Sequence, residues 1–308
     1  MMDDRAKGEI QGTYIGRVNR VMDYVRSNPA GDLRLDSLAH VASFSPYHFH
    51  RVFKAVVGET LNEYVRRIRA ERAASLLLQD PSRTVTEVAV DCGYSSPSSF
   101  AREFRRRFGV SASQFRSGGD DSLQRLREHL EKQGQPLVTA PPDGRVSRTE
   151  MAFRVEVQDL PELQVAYVRH TGPYSEIGQA FRLLMRWAGP RRLLRFPQTQ
   201  VLAIYHDNPD ITPADRLRSD ACITVPLGTR ARRVVSTMTI PSGRFAVAHV
   251  EIDPDQYGEA WDRLLRDWMP QSGYCPDDRL CYERYPSDNR KQPQDKHIVD
   301  ICEPIRPL

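Results

Sequence analysis

Residues 36–66 read DSLAHVASFSPYHFHRVFKAVVGETLNEYVR, and residues 86–116 read TEVAVDCGYSSPSSFAREFRRRFGVSASQFR. The two stretches repeat one pattern, because matching residues lie 50 positions apart before the central turn and 51 apart after it. A repeat of this kind indicates one supersecondary unit that the chain uses twice. The matching pairs include Leu38 and Val88, Phe49 and Phe100, Arg51 and Arg102, Phe53 and Phe104, and Gly58 and Gly109.

Each copy predicts a short helix, a tight turn and a second, amphipathic helix. Pro46 and Pro97 suit the first position of the second helix, where a missing N–H costs nothing and φ is already helical. Gly58 and Gly109 follow the last turn of that helix, where a left-handed cap favours glycine. The pattern therefore predicts two helix-turn-helix motifs in tandem.

A long helix is predicted between the two copies, over residues 60–79. Thr60 and Glu63 form a capping-box pattern at its start, and Leu61, Val65 and Ile68 supply apolar positions along it. At a rise of 1.5 Å per residue, a helix of this length is about 30 Å long. Successive major grooves on one face of B-DNA lie about 34 Å apart, so such a rod would let one chain contact neighbouring turns of a duplex.

The outward faces of the two second helices are polar and basic. Arg can bond a guanine bidentately, while Ser, His and Lys reach bases or phosphates. The alternative is that these side chains are the solvated face of an ordinary helical bundle, which would have no reason to repeat turn and basic face together. The predicted DNA contacts are Tyr47, His50, Arg51 and Lys54 in the first copy and Ser98, Arg102 and Arg106 in the second.

The positive charge of the chain is concentrated in its first part. The whole chain has a formal net charge of +4, and residues 1–120 contain 18 Lys and Arg against 14 Asp and Glu. The remaining residues contain 26 of each sign. The excess positive charge therefore lies with the tandem motif, as expected for a surface that binds phosphates.

Composition predicts a chain of two domains that acts in the cytoplasm. The 308 residues are 40% hydrophobic and 27% charged, without an apolar run long enough to cross a membrane. The N-terminus lacks the apolar segment of a secretory signal. The five cysteines have no CxxC spacing, which favours reduced thiols over a zinc site. We therefore expect no metal, no cofactor and no membrane partner.

Residues 118–150 are rich in glycine, proline and charge and are predicted to be a linker, with one short helix over residues 123–132. From residue 151 the pattern changes to strands, and a second duplication appears at an offset of 80 residues. Pro161 matches Pro241, and Phe181 matches Trp261. Two such halves predict a pseudo-twofold α+β domain, with a sheet packed against two helices.

The first part of the chain resembles the DNA-binding domain of the AraC/XylS family of transcription regulators. The resemblance covers about residues 15–117 and depends on the strings SPYHFHRVFK, VAVDCGYSSPSSF and REFRRRFG. It implies an all-α domain with two helix-turn-helix motifs over residues 1–117. It also implies that the seven polar residues named above lie on the two recognition helices.

The second part, residues 151–308, resembles the GyrI-like effector-binding domain. The matching strings include VRHTGPYSEIGQAF, AIYHDNP, GRFAVAHVE and CYERYPSD. The resemblance implies that a cleft between the two helices binds small lipophilic, often cationic compounds. The matching acidic residue is Glu283, with Phe181 and Trp261 near the pseudo-dyad and Tyr174 and Tyr205 at the mouth.

An organic cation is attracted to aromatic faces and to a desolvated carboxylate, and burial of that carboxyl raises its pKa when the site is empty. The alternative is that Phe181, Trp261 and Trp268 are core residues, and that Glu283 pairs with Arg284 or with a nearby lysine.

The combined resemblance predicts a transcription regulator that binds operator DNA and senses a small molecule, without being an enzyme. Its partners would be double-stranded DNA, the effector and, as a further candidate, RNA polymerase. One alternative is a GyrI-like hydrolase fused to a DNA-binding domain, with Glu283 and Tyr174 or Tyr205 as general base or orienting group. Another is a nucleoid-associated DNA binder with a vestigial second domain.

Overall fold

The computed structural model describes residues 4–80, 82–138, 151–231, 234–277, 279–286 and 296–308. The chain divides into two compact units. The first unit includes the chain up to Val138 together with Asp207–Leu217, and the second includes Thr139–His206, Arg218–Ala231 and Val235–Leu308. The stretch 139–150, predicted to be the later part of a linker, lies outside the described residues.

The described part of the first unit is helical, and its helices follow the order that the repeat predicts. No helix in the described ranges combines the length and the apolar character that a bilayer crossing needs. The helices are α1 (Asp4–Ser27), α2 (Leu35–Ala42), α3 (Pro46–Val57), α4 (Leu61–Gln79), α5 (Val85–Asp91), α6 (Pro97–Phe108), α7 (Ala112–Ser117) and α8 (Gly119–Lys132).

The helix ends are set by the local signals in the sequence. The Thr60 side chain accepts the backbone N–H of Glu63, and the Glu63 carboxylate accepts the N–H of Thr60, so the capping box at the start of α4 is confirmed. Gly58 and Gly109 follow α3 and α6 with φ of 82° and 74°. Both glycines therefore adopt the left-handed conformation that other residues enter at a cost.

The first unit has two hydrophobic cores, one for each copy of the repeat. Phe49 and Phe53 of α3 are fully buried in the first core, and Phe100, Phe104 and Phe108 of α6 are buried in the second. Helix α4 contributes to both cores, through its N-terminal part in the first and its C-terminal part in the second. Because both motifs pack on one helix, that helix fixes their separation.

The segment predicted to be a linker begins inside the first unit. Helix α8 is longer than the helix predicted over residues 123–132, and its Leu126 and Leu130 are buried in the second core. Leu137, further along, is buried there as well. The four-residue spacing puts these two leucines on one face of α8, and that face packs against the second core. This part of the segment is therefore packed and not a free connection.

The second unit is built on an antiparallel sheet with two helices. Helix α9 (Gly178–Ala188) packs on the sheet, as does α10 (Tyr257–Asp262), which continues as a π-helical stretch over Arg263–Trp268. The strands run in the order β1-β6-β9-β8-β3-β4-β2-β5, and β7 pairs with β9 beside this path. They are β1 (Ala152–Leu160), β2 (Leu163–Thr171), β3 (Val201–Tyr205), β4 (Arg218–Thr224), β5 (Ser236–Ile240), β6 (Gly243–Ile252), β7 (Tyr274–Pro276), β8 (Cys281–Tyr285) and β9 (His297–Pro307).

The predicted pseudo-twofold is visible in the register of the sheet. Ala203 of β3 pairs with Glu283 of β8, and these two residues are separated by the 80 positions of the sequence duplication. The outer strands are exchanged between the halves, since β1 pairs with β6 of the second half and β5 pairs with β2 of the first. The pseudo-dyad therefore passes between β3 and β8.

Candidate DNA-binding surface and ligand-binding site

Helix α3 presents the first set of predicted DNA contacts. Its buried phenylalanines fix which face is turned inward, and the opposite face is left to solvent. Tyr47 has 75% of its surface exposed, and the Arg51 guanidinium lies over its ring, 5.8 Å from the centroid. The exposed residues of this face are Tyr47, His50, Arg51 and Lys54.

Helix α6 presents the second set, and one of its members is held by a neighbour. Ser98, Arg102 and Arg106 are all exposed, as is Arg105, which was not among the predicted DNA contacts although the sequence places it on the same polar face. The Arg106 Nε–H donates to the buried Glu103 carboxylate at 3.2 Å. The geometry of Arg106 is therefore set by a partner within the same helix.

The helix that joins the two motifs is nearly as long as the spacing of successive major grooves. Helix α4 has 19 residues, which corresponds to a length of roughly 28 Å. Both recognition helices pack on this single rod, one near each end. The arrangement can place two helices in major grooves about one turn apart, about 34 Å in B-DNA.

In the second unit, Glu283 lies at the centre of a cluster of hydrogen-bond donors. Its side chain is 1% exposed. The Tyr205 and Tyr285 hydroxyls each donate to Oε2 at 2.7 Å, and Trp261 Nε1–H donates to Oε1 at 2.8 Å. These donors come from β3, β8 and α10, so the fold brings them together from both halves of the duplication.

The three hydrogen-bond donors to Glu283 are neutral groups. Arg284, considered from sequence as its partner, instead forms an ion pair with Asp300 at 2.7 Å. Burial raises the pKa of Glu283, and the hydrogen bonds from Tyr285, Trp261 and Tyr205 offset part of that effect. Burial, together with the charge of Glu283, also raises the pKa of Tyr205 and Tyr285, so both remain neutral donors at physiological pH.

Aromatic rings surround this carboxylate. The Tyr174 and Tyr205 rings lie 4.7 Å apart between centroids, and the Tyr205 and Trp261 rings 6.2 Å apart. Phe181 contacts Tyr285 at 6.1 Å. All five residues predicted for the effector site therefore belong to one cluster, although Trp261 also packs against a hydrophobic core. Their role in binding an effector remains a prediction.

Tyr285 was missed in the sequence prediction, and two sequence signals could have identified it. It lies two residues after Glu283 on β8, and alternate residues of a strand share one face. It also matches Tyr205 at the offset of 80 residues that defines the duplication. Either signal places a second tyrosine next to the acid.

The sheet also contains a buried charge cluster beside the site. Arg169 donates to Asp220 at 2.8 Å, and the His206 ring nitrogen lies 2.7 Å from the same carboxylate. Burial alone would raise the pKa of Asp220, but Arg169 and His206 hold it well below its usual range. His206 follows Tyr205 directly, so this cluster anchors the end of the strand that carries a donor to Glu283.

Comparisons with known families match both parts of the chain. Residues 153–306 match a family described as a GyrI-like small molecule binding domain. Residues 38–118 match a family described as a helix-turn-helix domain. The first range contains the Glu283 cluster with its aromatic rings, and the second contains both recognition helices.

Individual relatives show the same two likenesses. DNA gyrase inhibitor 2 from Dickeya dadantii (strain 3937) is 34% identical over 142 residues, which is 45% of this chain and 87% of that protein. HTH-type transcriptional regulator Rv1931c from Mycobacterium tuberculosis is 42% identical over 91 residues, 30% of this chain and 35% of that regulator. Among solved structures, the C-terminal domain of AraT, a response regulator from Geobacillus stearothermophilus, is 31% identical with a TM-score of 0.32, covering 33% of this chain and 84% of that domain.

Proposed function

The chain belongs to the GyrI-like small-molecule-binding family and joins that domain to an AraC-type helix-turn-helix domain, and we propose on this premise that it senses a lipophilic organic cation. Binding of the cation at Glu283 would change how the regulator holds its operator or contacts RNA polymerase. As a DNA-binding transcription regulator, the protein would act in the cytoplasm, where the operator is.

The observation that carries this proposal is a buried carboxylate whose hydrogen-bond donors are neutral. Three donors orient Glu283, yet none of them supplies a positive charge. A cation would provide the missing counter-charge, and the faces of Trp261, Phe181 and Tyr174 would attract it further through cation–π contacts. Desolvation strengthens both attractions, because few water molecules compete inside the site.

On the DNA side, we assign base recognition to Arg51 and Arg102. They occupy equivalent positions of the duplicated recognition helices, and both are exposed. Tyr47, His50, Lys54 and Ser98 would contact phosphates or neighbouring bases. Arg106 would contact DNA from a position fixed by Glu103, so its contribution to DNA affinity would depend on this orientation as well as on its charge.

We assign no catalytic role to the Glu283 cluster. A general base needs a lone pair directed at the substrate, and three of the roughly four lone-pair positions of the Glu283 carboxylate already accept hydrogen bonds. The raised pKa of Tyr205 and Tyr285 keeps phenolate from forming at neutral pH. Mass spectrometry of a bound cation before and after long incubation with the protein would detect turnover, and we expect none.

The proposed function can be tested with the full chain and an operator selected from a random pool of duplex DNA. A panel of amphipathic cations, each paired with a neutral analogue of the same shape, is screened by thermal shift and then by titration. We expect the cations to bind more tightly and to change operator affinity. Glu283→Gln should lose affinity for the cation and retain affinity for the neutral analogue.

Trp187→Phe provides a matched control, because Trp187 lies on α9 outside the Glu283 cluster. It should preserve the preference for cations. Equal losses for charged and neutral ligands in Glu283→Gln would contradict the electrostatic role of Glu283. A ligand that binds without altering operator affinity or transcription would contradict sensing.

A further inference from the structure

A chain of alternating charges crosses the interior of the first unit. The Arg67 guanidinium contacts Glu59 at 2.6 Å and Glu71 at 3.1 Å. Glu71 also accepts from Arg107 at 2.6 Å, and Glu59 also accepts from Arg216 at 2.9 Å. The side chains of Arg67, Glu59 and Glu71 are all less than 10% exposed. We call this series, Arg216–Glu59–Arg67–Glu71–Arg107, the charge relay.

The charge relay connects the elements that carry the two recognition helices. Glu59 follows Gly58, the cap of α3, while Arg67 and Glu71 are one helical turn apart on α4. Arg107 lies in the last turn of α6. The end of the first recognition helix and the end of the second are therefore both fastened to the same face of the rod between them.

Buried ion pairs of this kind tolerate little displacement. Desolvation of each charge is costly and is offset only while its partner stays in good geometry, so movement of one helix would leave a charge unpaired. Hydrophobic contacts with α4 would still hold each motif in place, but they are less directional. The charge relay can therefore fix the orientation of α3 relative to α6 more narrowly than the cores alone.

We propose that the charge relay sets the spacing between the two half-sites that the protein accepts on DNA. In the same proposal, ligand binding in the second unit alters the charge relay through Arg216. The first part concerns the specificity of DNA recognition. The second rests on the proposed function, since it requires that a ligand at Glu283 affects DNA binding.

The position of Arg216 explains how ligand binding in the second unit could affect the charge relay. Residues Asp207–Leu217 leave β3 two residues after Tyr205 and belong to the first unit. Ile211 is 1% exposed in the second core of that unit, and the Ala214 N–H donates to the Pro136 carbonyl at 3.0 Å. The segment is therefore held at several points, and near its end Arg216 forms an ion pair with Glu59. A displacement of Tyr205 on ligand binding would be transmitted to the charge relay along this short stretch of backbone.

The test of spacing uses the selected operator and derivatives with one or two base pairs inserted between its half-sites. Each inserted pair rotates one half-site by roughly 35° relative to the other, given 10–10.5 pairs per turn. We expect the unaltered protein to prefer the original spacing by at least about tenfold, the ratio that 1.4 kcal/mol produces. In Glu71→Gln this preference should fall to within about threefold, while the protein still binds the original site.

Two further variants keep the spacing test decisive. Glu71→Leu combined with Arg107→Met removes both charges of one link, which avoids an unpaired buried charge, and should lose the preference in the same way. Arg34→Met breaks the exposed pair with Asp32 in the same unit and should keep the full preference. Retention of the full preference in a folded Glu71→Gln and in the double variant would overturn the proposal.

The role of Arg216 is tested separately in Arg216→Met with an amphipathic cation from the panel above. We expect the cation to bind the variant as tightly as the unaltered protein, and its effect on operator affinity to fall towards onefold, from a typical coupling of about 5- to 150-fold. An undiminished effect would refute the assignment of Arg216. If the unaltered protein itself shows no effect, the proposed sensing fails, while the spacing experiment still decides the role of the charge relay.

Discussion

Tyr205 and Tyr285 occupy equivalent positions in the two halves of the second unit, and both donate a hydrogen bond to the same oxygen of Glu283 at 2.7 Å. The pseudo-twofold axis therefore supplies two matching donors, whereas the acid exists in one half only. Its partner across the sheet is Ala203. A nearly symmetric aromatic frame thus contains a single carboxylate, and under the proposed function this asymmetry would give a bound cation a preferred orientation.

Removal of either hydroxyl should weaken cation binding through Glu283. In Tyr205→Phe or Tyr285→Phe the carboxylate loses one donor to its charged form, an interaction of about 1.5–3 kcal/mol. The pKa of Glu283 should rise, and cation affinity measured below that pKa should fall by about tenfold or more. Calorimetric titration of both variants with a cation and its neutral analogue checks this. Comparable loss for the neutral analogue would point to altered packing.

Cation affinity should depend on pH through Glu283. Burial raises the pKa of this carboxyl in the empty site, and a bound cation favours the charged form. Affinity should therefore increase as pH rises through the raised pKa and level off above it. Glu283→Gln should show a flat profile over the same range. A quaternary ammonium ligand serves as the probe, because its own charge does not change with pH.

Arg51→Ala and Arg102→Ala should each weaken operator binding by about 1–3 kcal/mol and relax the preference for one base pair, if the arginines bond base edges. Lys54→Ala should weaken all duplexes to a similar degree and reduce the salt dependence of binding, as expected for a phosphate contact. Fluorescence anisotropy at matched salt separates the two outcomes. Operator affinity unchanged in both arginine variants would contradict their assignment.

Asp220→Asn should destabilise the second unit strongly. The change leaves Arg169 buried without its carboxylate, and loss of one partner from a buried pair costs about 3–5 kcal/mol. Thermal unfolding of the full chain measures the effect. Asp159→Asn breaks an exposed pair with Arg244 and should change stability little. A similar loss in both variants would show that burial of the pair is not what matters.

The same carboxylate should contribute to the pH dependence of stability. Since Arg169 and His206 hold the pKa of Asp220 below its usual range, its contribution is present above the unfolded pKa of about 3.9 and is lost as pH falls towards the folded value. Asp220→Asn should therefore show a flatter stability profile on the acid side. Unfolding by urea at several pH values checks this expectation.

Much of the first unit could be predicted from sequence, because its signals are local. The capping pairs Thr60–Glu63 and Thr84–Glu87, and the glycines after α3 and α6, specify where helices begin and end within a few residues. The repeat then assigns equivalent faces to both recognition helices. In the second unit, the duplication together with the family resemblance is enough to identify five members of the Glu283 cluster.

The remaining features depend on contacts that no local pattern encodes. Nothing in the spacing of Asp207–Leu217 indicates that this connection between two strands packs with the helical unit through Ile211. The charge relay escaped prediction for the same reason, since Glu59 and Arg107 are far apart in sequence. The exchange of β1 and β5 between the two halves likewise depends on which strands pair, and the alternation of apolar and polar residues within one strand does not predict its pairing partner.

The exchange of the outer strands has a consequence for how the second unit can form. Strand β1 of the first half pairs with β6, which is translated almost a hundred residues later, and β5 of the second half pairs back with β2. The first repeat therefore lacks one of its pairing partners until the second repeat has been synthesised. Cleavage between the two repeats would leave each fragment with an exposed, unpaired strand edge instead of producing two independently folding domains.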